Sequence, residues 1–142
     1  MGSFDRFEDI EVWKNARVLL KDVYKVSSTG SFSRDFNMRN QFRSAALSIM
    51  NNISEGNDRE GNKEFVQFLY IARGSAGEVR SMLYSALDLG YIDESTFKKM
   101  KTDVIEISKM TRSLAKYLKY STKKGTKYKN QDPEPELIRI KS

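Results

Sequence analysis

Neither cysteine nor histidine occurs among the 142 residues. Without cysteine no disulfide can form, which fits a reducing compartment, and a cytoplasmic location is the expectation. Without histidine the chain loses the commonest general base, the commonest metal ligand and the usual partner of a nucleophilic serine. Carboxylate chemistry survives that filter, so Glu55 and Glu78 need separate weighing. Long hydrophobic runs are missing too. Met1 to Glu11 has no apolar stretch of signal-peptide length, and no uninterrupted apolar run approaches a membrane span. Arg6 stands where a myristoylation motif needs serine or threonine, and Gly2-Ser3 resembles a cloning remnant. No membrane association and no cofactor or metal is expected.

What is present is positive charge, unevenly placed. The net charge is +6, yet Lys98 to Lys129 holds eleven basic residues against two acids. Residues 1–97 carry twelve basic and fourteen acidic groups. The basic character therefore belongs to one segment, whose partner would be acidic.

Four helices separated by turn chemistry account for the apolar periodicity. The first is expected over about Glu8 to Val26, with Val12, Ala16, Leu19 or Leu20, Val23 and Val26 at helical spacing, and it stops in the cluster Ser27 to Ser31. The second runs from about Arg34 to Glu55 through Met38, Phe42, Ala45 or Ala46, Ile49 and Ile53, with Gly56 expected as its left-handed cap. After Asn57 to Gly61, the third carries Phe65, Phe68, Leu69, Ala72, Ala76, Val79, Leu83 and Ala86 to about Leu89, where Gly90 closes it. Asp93 is the expected N-cap of the fourth, whose seam Phe97, Met100, Val104, Ile107, Thr111, Leu114 and Leu118 alternates steps of three and four. Long helices joined by short turns pack antiparallel, so the expected fold is all-α, an up-and-down antiparallel four-helix bundle over residues 1–121. Residues 122–142, with several lysines, Gly125, Pro133 and Pro135, read as a mobile basic tail.

Two polar strips interrupt this pattern. Gln41, Ser44, Ser48, Asn52 and Glu55 share one side of the second helix, and Gly74, Gly77, Glu78, Ser81 and Ser85 one side of the third. Small and amide-bearing residues weaken a helix, so their clustering points to close approach or hydrogen bonding. Ser48, Asn52, Glu55, Gly74, Ser75 and Glu78 are therefore candidates for helix packing or an oligomer interface. Two other readings stay open, a solvated face and a carboxylate site built on Glu55 and Glu78; di-metal bundles use Glu-x-x-His, and no histidine is available.

Trp13, Ala16 and Tyr24, then Gln41, Arg43, Ser48-Ile49 and Asn52-Ile53-x-Glu55-Gly56, then Phe65, Ile71-Ala72 and Gly74-Ser75-x-x-Glu78, occur in order and at a characteristic separation. Over about Phe7 to Leu118 the chain thereby resembles the four-helix bundle family encoded by intervening sequences of bacterial 23S ribosomal RNA genes. Ser54 stands where that family usually has alanine. The resemblance implies a non-enzymatic cytoplasmic bundle that assembles as a homo-oligomer, a ring of five, through a heterologous interface. The family is more distantly similar to the accessory variability proteins of diversity-generating retroelements, which implies nucleic acid and a reverse transcriptase as partners. No catalytic residue carries over from either branch.

The functional expectation rests on the fourth helix. Lys109, Arg112, Lys116, Lys119 and Lys123 repeat the three-four spacing of its seam, displaced by about two residues, and Lys124, Lys127 and Lys129 continue it. Tyr117, Tyr120 and Tyr128 are interleaved, offering planar faces for unpaired bases. Lys109, Arg112, Lys116, Lys119, Lys123, Lys124 and Lys127 are thus the expected contacts to RNA or DNA, with a solvated lysine face as the bland reading. The alternative function is a protein-interaction scaffold with no nucleic-acid role, using Trp13 or Leu137 to Ile140.

Overall fold

A computed structural model describes residues 6–127 of the chain, with side chains through Ser121. A single 3-10 turn, Phe7–Asp9, leads into α1 (Glu11–Val26), a short α2 (Gly30–Arg34), α3 (Phe36–Asp58), α4 (Asn62–Asp88) and α5 (Glu94–Lys127). Among the described residues there is no strand. The four long helices form an up-and-down bundle in which α1 and α4 each pack against both α3 and α5. The fourth helix of the sequence reading is α5, and its backbone continues to Lys127, past the last apolar seam residue, Leu118. Residues 122–127 of the expected tail are thus helical backbone, and its remainder, 128–142, lies outside the described residues.

The apolar seams pack as their spacing dictates. Val12, Ala16, Leu19 and Val23 of α1 are buried against Phe42, Ala46, Ile49 and Ile53 of α3, Leu69, Ala72, Val79 and Leu83 of α4, and the full α5 seam. Thr111, the one polar residue in that seam, donates its hydroxyl to the Ile107 carbonyl at 2.7 Å. A buried hydroxyl left unpaired would cost about 1 to 3 kcal/mol, and this bond removes that penalty within its own helix.

Helix ends are set by side chains. Ser27 and Ser28 donate hydroxyl bonds of 2.6 Å to the carbonyls of Val23 and Tyr24, satisfying acceptors that the end of α1 leaves open. Arg43 of α3 then donates to both serine oxygens, at 2.8 and 2.9 Å, while its guanidinium lies over the Tyr24 ring. One arginine therefore ties α3 to the end of α1. Gly90, at φ +74°, ends α4. The Tyr91 amide reaches the Ala86 carbonyl and the Gly90 amide the Leu87 carbonyl, the paired bonds of a Schellman motif. Asp93 accepts the Thr96 amide at 2.8 Å and so caps α5 as expected.

Two expectations are corrected. Gly56 is not a left-handed cap: α3 runs through it to Asp58, and its backbone is helical. A Cβ there would stand 2.8 Å from both Phe65 Cδ1 and Phe68 Cβ, so glycine is required because α4 comes too close for any side chain. The loop expected after α1 contains α2, whose Phe32 is fully buried and stacks on Phe42 and Tyr91 at ring separations of 5.4 and 4.9 Å. The serine-rich surroundings of Phe32 hide this anchor from periodicity.

Asp35 completes that corner. One carboxylate oxygen accepts the Met38 amide and caps α3, and the other accepts the Tyr91 hydroxyl at 2.7 Å. The Tyr91 hydroxyl and then the Met38 amide hold the Asp35 carboxyl below its usual pKa, while bonding to Asp35 raises that of Tyr91.

Gly56→Ala is expected to destabilise the fold by roughly 1 to 3 kcal/mol through overpacking, despite alanine's better helix propensity. Gly74→Ala, where an added Cβ meets nothing within 4 Å, should stabilise the folded chain by about 0.5 to 1 kcal/mol. Urea denaturation of both variants measures the contrast. A pH series tests the Asp35 bond. The stability lost in Asp35→Ala should be full above about pH 4, the unfolded aspartate value, and the gap to wild type should close as pH falls through the lower folded value.

Candidate nucleic-acid interface

The seam of α5 faces inward, so residues about two positions away face out. Lys109, Arg112, Lys116 and Lys119 are all exposed and follow one another by three, four and three residues along the outer side of α5. Lys123, Lys124 and Lys127 belong to the helical backbone, but their side chains lie outside the described residues, as does Tyr128. Tyr120 is 39% exposed and stands near the end of this face. Tyr117 does not. It is 3% exposed and packed in the core, because the inward arc of α5 is wide enough to take Leu114, Ala115, Tyr117 and Leu118 together. The expectation that Tyr117 offers a stacking face is therefore corrected. Trp13 is likewise unavailable to a scaffold partner, being buried beside Phe7 at a ring separation of 5.1 Å.

The outer face of α5 is one bank of a groove shared with α4. Arg80 and Lys109 flank a hollow of about 220 Å³ floored by Ala76, Gly77, Val104, Ile105 and Ser108. At one end Lys119 donates to the Tyr70 hydroxyl at 2.7 Å, with its ammonium 5.3 Å from the ring centre. At the other, the Lys101 ammonium sits 5.2 Å from the centre of Tyr84, whose ring packs edge-on against Phe97. The Lys101 ammonium, with Arg80, holds the Tyr84 phenol below its usual pKa. Tyr70, Arg80, Tyr84 and Lys101 were not visible as site residues in the sequence. Tyr70, Arg73, Gly77, Arg80 and Tyr84 do repeat at three-four spacing on α4, a second stripe outside the apolar one.

Charge is segregated around the bundle. On the opposite side of α5, Lys99 is bound by Asp103 at 2.9 Å and by Asp22 of α1 at 3.1 Å, and Asp103 and Glu106 line the cleft against α1. The two aspartates raise the Lys99 pKa, Asp103 foremost. Lys99 is thereby neutralised, whereas the cations flanking the α4–α5 hollow have no carboxylate beside them in its lining.

The polar strips meet between α3 and α4, in part. Ser48 and Ser75 are hydrogen-bonded across the two helices at 2.8 Å, and the Asn52 amide donates to the Ser48 carbonyl and hydroxyl. Gly74, Glu55 and Glu78 are exposed. Glu55 pairs with Arg59 at 2.8 Å near the α3–α4 turn, while Glu78 lines a cleft with Gln41, Ser44 and Ser48. Ser48 and Glu55 are seven residues apart, about 10 Å along α3, so the two glutamates do not share a site. Among the described residues no cluster of three carboxylates suited to a metal ion occurs. Nor is any described helix long and apolar enough to cross a membrane.

Residues 8–113, from the first turn to the middle of α5, match the family model for the 23S rRNA-intervening sequence protein. The chain belongs to that family. In this family member Lys109 and Arg112 fall inside the matched segment, and Lys116 and Lys119 lie beyond it. The fold has a solved counterpart, the crystal structure of a protein of unknown function from the S23 ribosomal protein family of Bacteroides thetaiotaomicron. It superposes with a TM-score of 0.68 at 24% sequence identity, covering 74% of this chain and 98% of that one. Among curated proteins none matches this chain.

Proposed function

We propose that this family member is a non-enzymatic accessory protein that assembles with copies of itself and binds RNA or DNA through the outer face of α5. The observation that carries the reading is the row Lys109, Arg112, Lys116 and Lys119, exposed on one face of one helix and forming no ion pair with a carboxylate of the described residues. Such a row binds by neutralising phosphates and releasing their counterions, so affinity depends on salt more than on sequence. Self-association repeats the row around the assembly and adds weak contacts by avidity. The outward side of α3 and α4 supports the assembly: Leu47 and Ile71 are exposed there beside Gly74 and Glu78. A ring of five is what the resemblance of the motifs implies, and it needs two different patches on each subunit.

Affinity for a mixed-sequence RNA or DNA should fall steeply with salt, and Lys116→Glu with Lys119→Glu should abolish it while helix content stays unchanged. Binding that ignores salt, or survives both charge reversals, would overturn the reading. Light scattering should give a mass about five times 16.4 kDa. Gly74→Leu should lower that mass toward the single chain if the α3–α4 side forms the interface. A protein partner captured equally well after nuclease treatment and by the charge-reversed variant would instead favour the scaffold role.

A further inference from the structure

The groove between α4 and α5 carries more than a row of cations. Its two ends are alike: Tyr70 with Lys119, and Tyr84 with Lys101, each an aromatic ring from α4 with an ammonium from α5 beside it. The two tyrosines are fourteen residues apart, about four helical turns, so the rings stand about 21 Å from each other along α4. Each tyrosine is 44% exposed. Between them, Arg80 and Lys109 face across the floor, and Arg73 and Arg112 continue the two banks at helical spacing. Gly77 leaves the middle of the floor without a side chain. Carboxylates are absent from this strip. Between residues 70 and 84 the sole acid is Glu78, which lines the α3–α4 cleft, and between 101 and 119 the acids are Asp103 and Glu106, which line the α1–α5 cleft.

We infer that the α4–α5 groove is a binding track for an unpaired nucleic-acid strand, whose phosphates lie along Arg73, Arg80, Lys109 and Arg112 and whose bases stack on Tyr70 and Tyr84. The inference rests on the proposed nucleic-acid role and specifies its ligand. A duplex keeps its base faces inside the stack and offers only phosphates, so it gains nothing from exposed rings. An unpaired strand gains from both. In the free protein the Lys119 ammonium is bonded to the Tyr70 hydroxyl and the Lys101 ammonium lies beside Tyr84, so both cations flank the rings and can meet phosphates while bases stack on the ring faces.

The test uses full-length protein and fluorescence anisotropy with three labelled probes: a mixed-sequence RNA of about 16 nucleotides, the DNA of the same sequence, and that DNA as a duplex. Tyr70→Leu with Tyr84→Leu should weaken binding of both single strands by roughly five- to a hundredfold and leave duplex affinity unchanged. Tyr70→Phe with Tyr84→Phe, which keeps the rings and removes the hydroxyls, should retain wild-type affinity. Arg73→Gln with Arg80→Gln should reduce the slope of log affinity against log salt by roughly 0.7 for each phosphate no longer neutralised. Photocrosslinking of the wild-type protein to a strand carrying 5-iodouracil should label Tyr70 and Tyr84, a readout independent of how the variants fold. If the leucine pair binds single strands like wild type, or crosslinks fall only elsewhere, the groove is not the track. That result with Lys116→Glu and Lys119→Glu still abolishing binding leaves the α5 reading intact. Preference for the duplex over both single strands also overturns the groove.

Discussion

The bundle is organised around the close approach of α3 and α4 at Gly56. The ring of Phe65 and the Cβ of Phe68 fill the space that any side chain at position 56 would need, so the start of α4 is pressed onto the end of α3. Past the turn at residues 59–61 the chain runs antiparallel, and the contact continues to Ser48 and Ser75 at 2.8 Å. Small residues on facing helices permit this approach, and a hydroxyl pair replaces the water that each serine loses. With α3 and α4 locked in register, α5 packs on α4 through the Schellman turn at Gly90, and α1 closes the remaining side.

The opposite end of the bundle is closed by a different device. Phe32 is fully buried between Phe42 and Tyr91, and the Tyr91 hydroxyl bonds the same carboxylate that caps α3. Asp35 thus joins the start of α3 to the turn after α4, while Arg43 joins α3 to the end of α1. Asp35 both caps α3 and fastens it to Tyr91, and Arg43 fastens α3 to the two serines that end α1. Helix length and helix packing are consequently coupled, which is how a chain with no disulfide keeps four long helices in one arrangement.

That frame decides where charge can act. Lys99 points to α1 and is neutralised by Asp22 and Asp103, whereas Lys101, two residues on, turns about 200° around α5 and meets Tyr84. The lysines of one segment are therefore not equivalent, although composition counts them together. The α4–α5 side retains its cations, and α4 supplies aromatic rings along the groove where Tyr117 of α5, which in sequence stands among the ridge lysines, is buried in the core.

Much of the bundle was legible in the sequence, because hydrophobic spacing along one helix depends only on helix geometry. All seven seam residues of α5, the Asp93 cap and the Gly90 stop follow from local rules, and so does the exposure of Lys109, Arg112, Lys116 and Lys119. Local rules failed where the reason for a residue lies in a distant one. Gly56 looked like a helix terminator and is a contact point for Phe65 and Phe68; Phe32 sat in an apparent loop and anchors Tyr91. Four amphipathic helices and a basic outer face on the last are thus properties of the residue order alone. The meeting of Tyr70 with Lys119 and of Tyr84 with Lys101 is a property of the packed bundle, since which side chains meet across two helices is set by their packing register and not by spacing along either one.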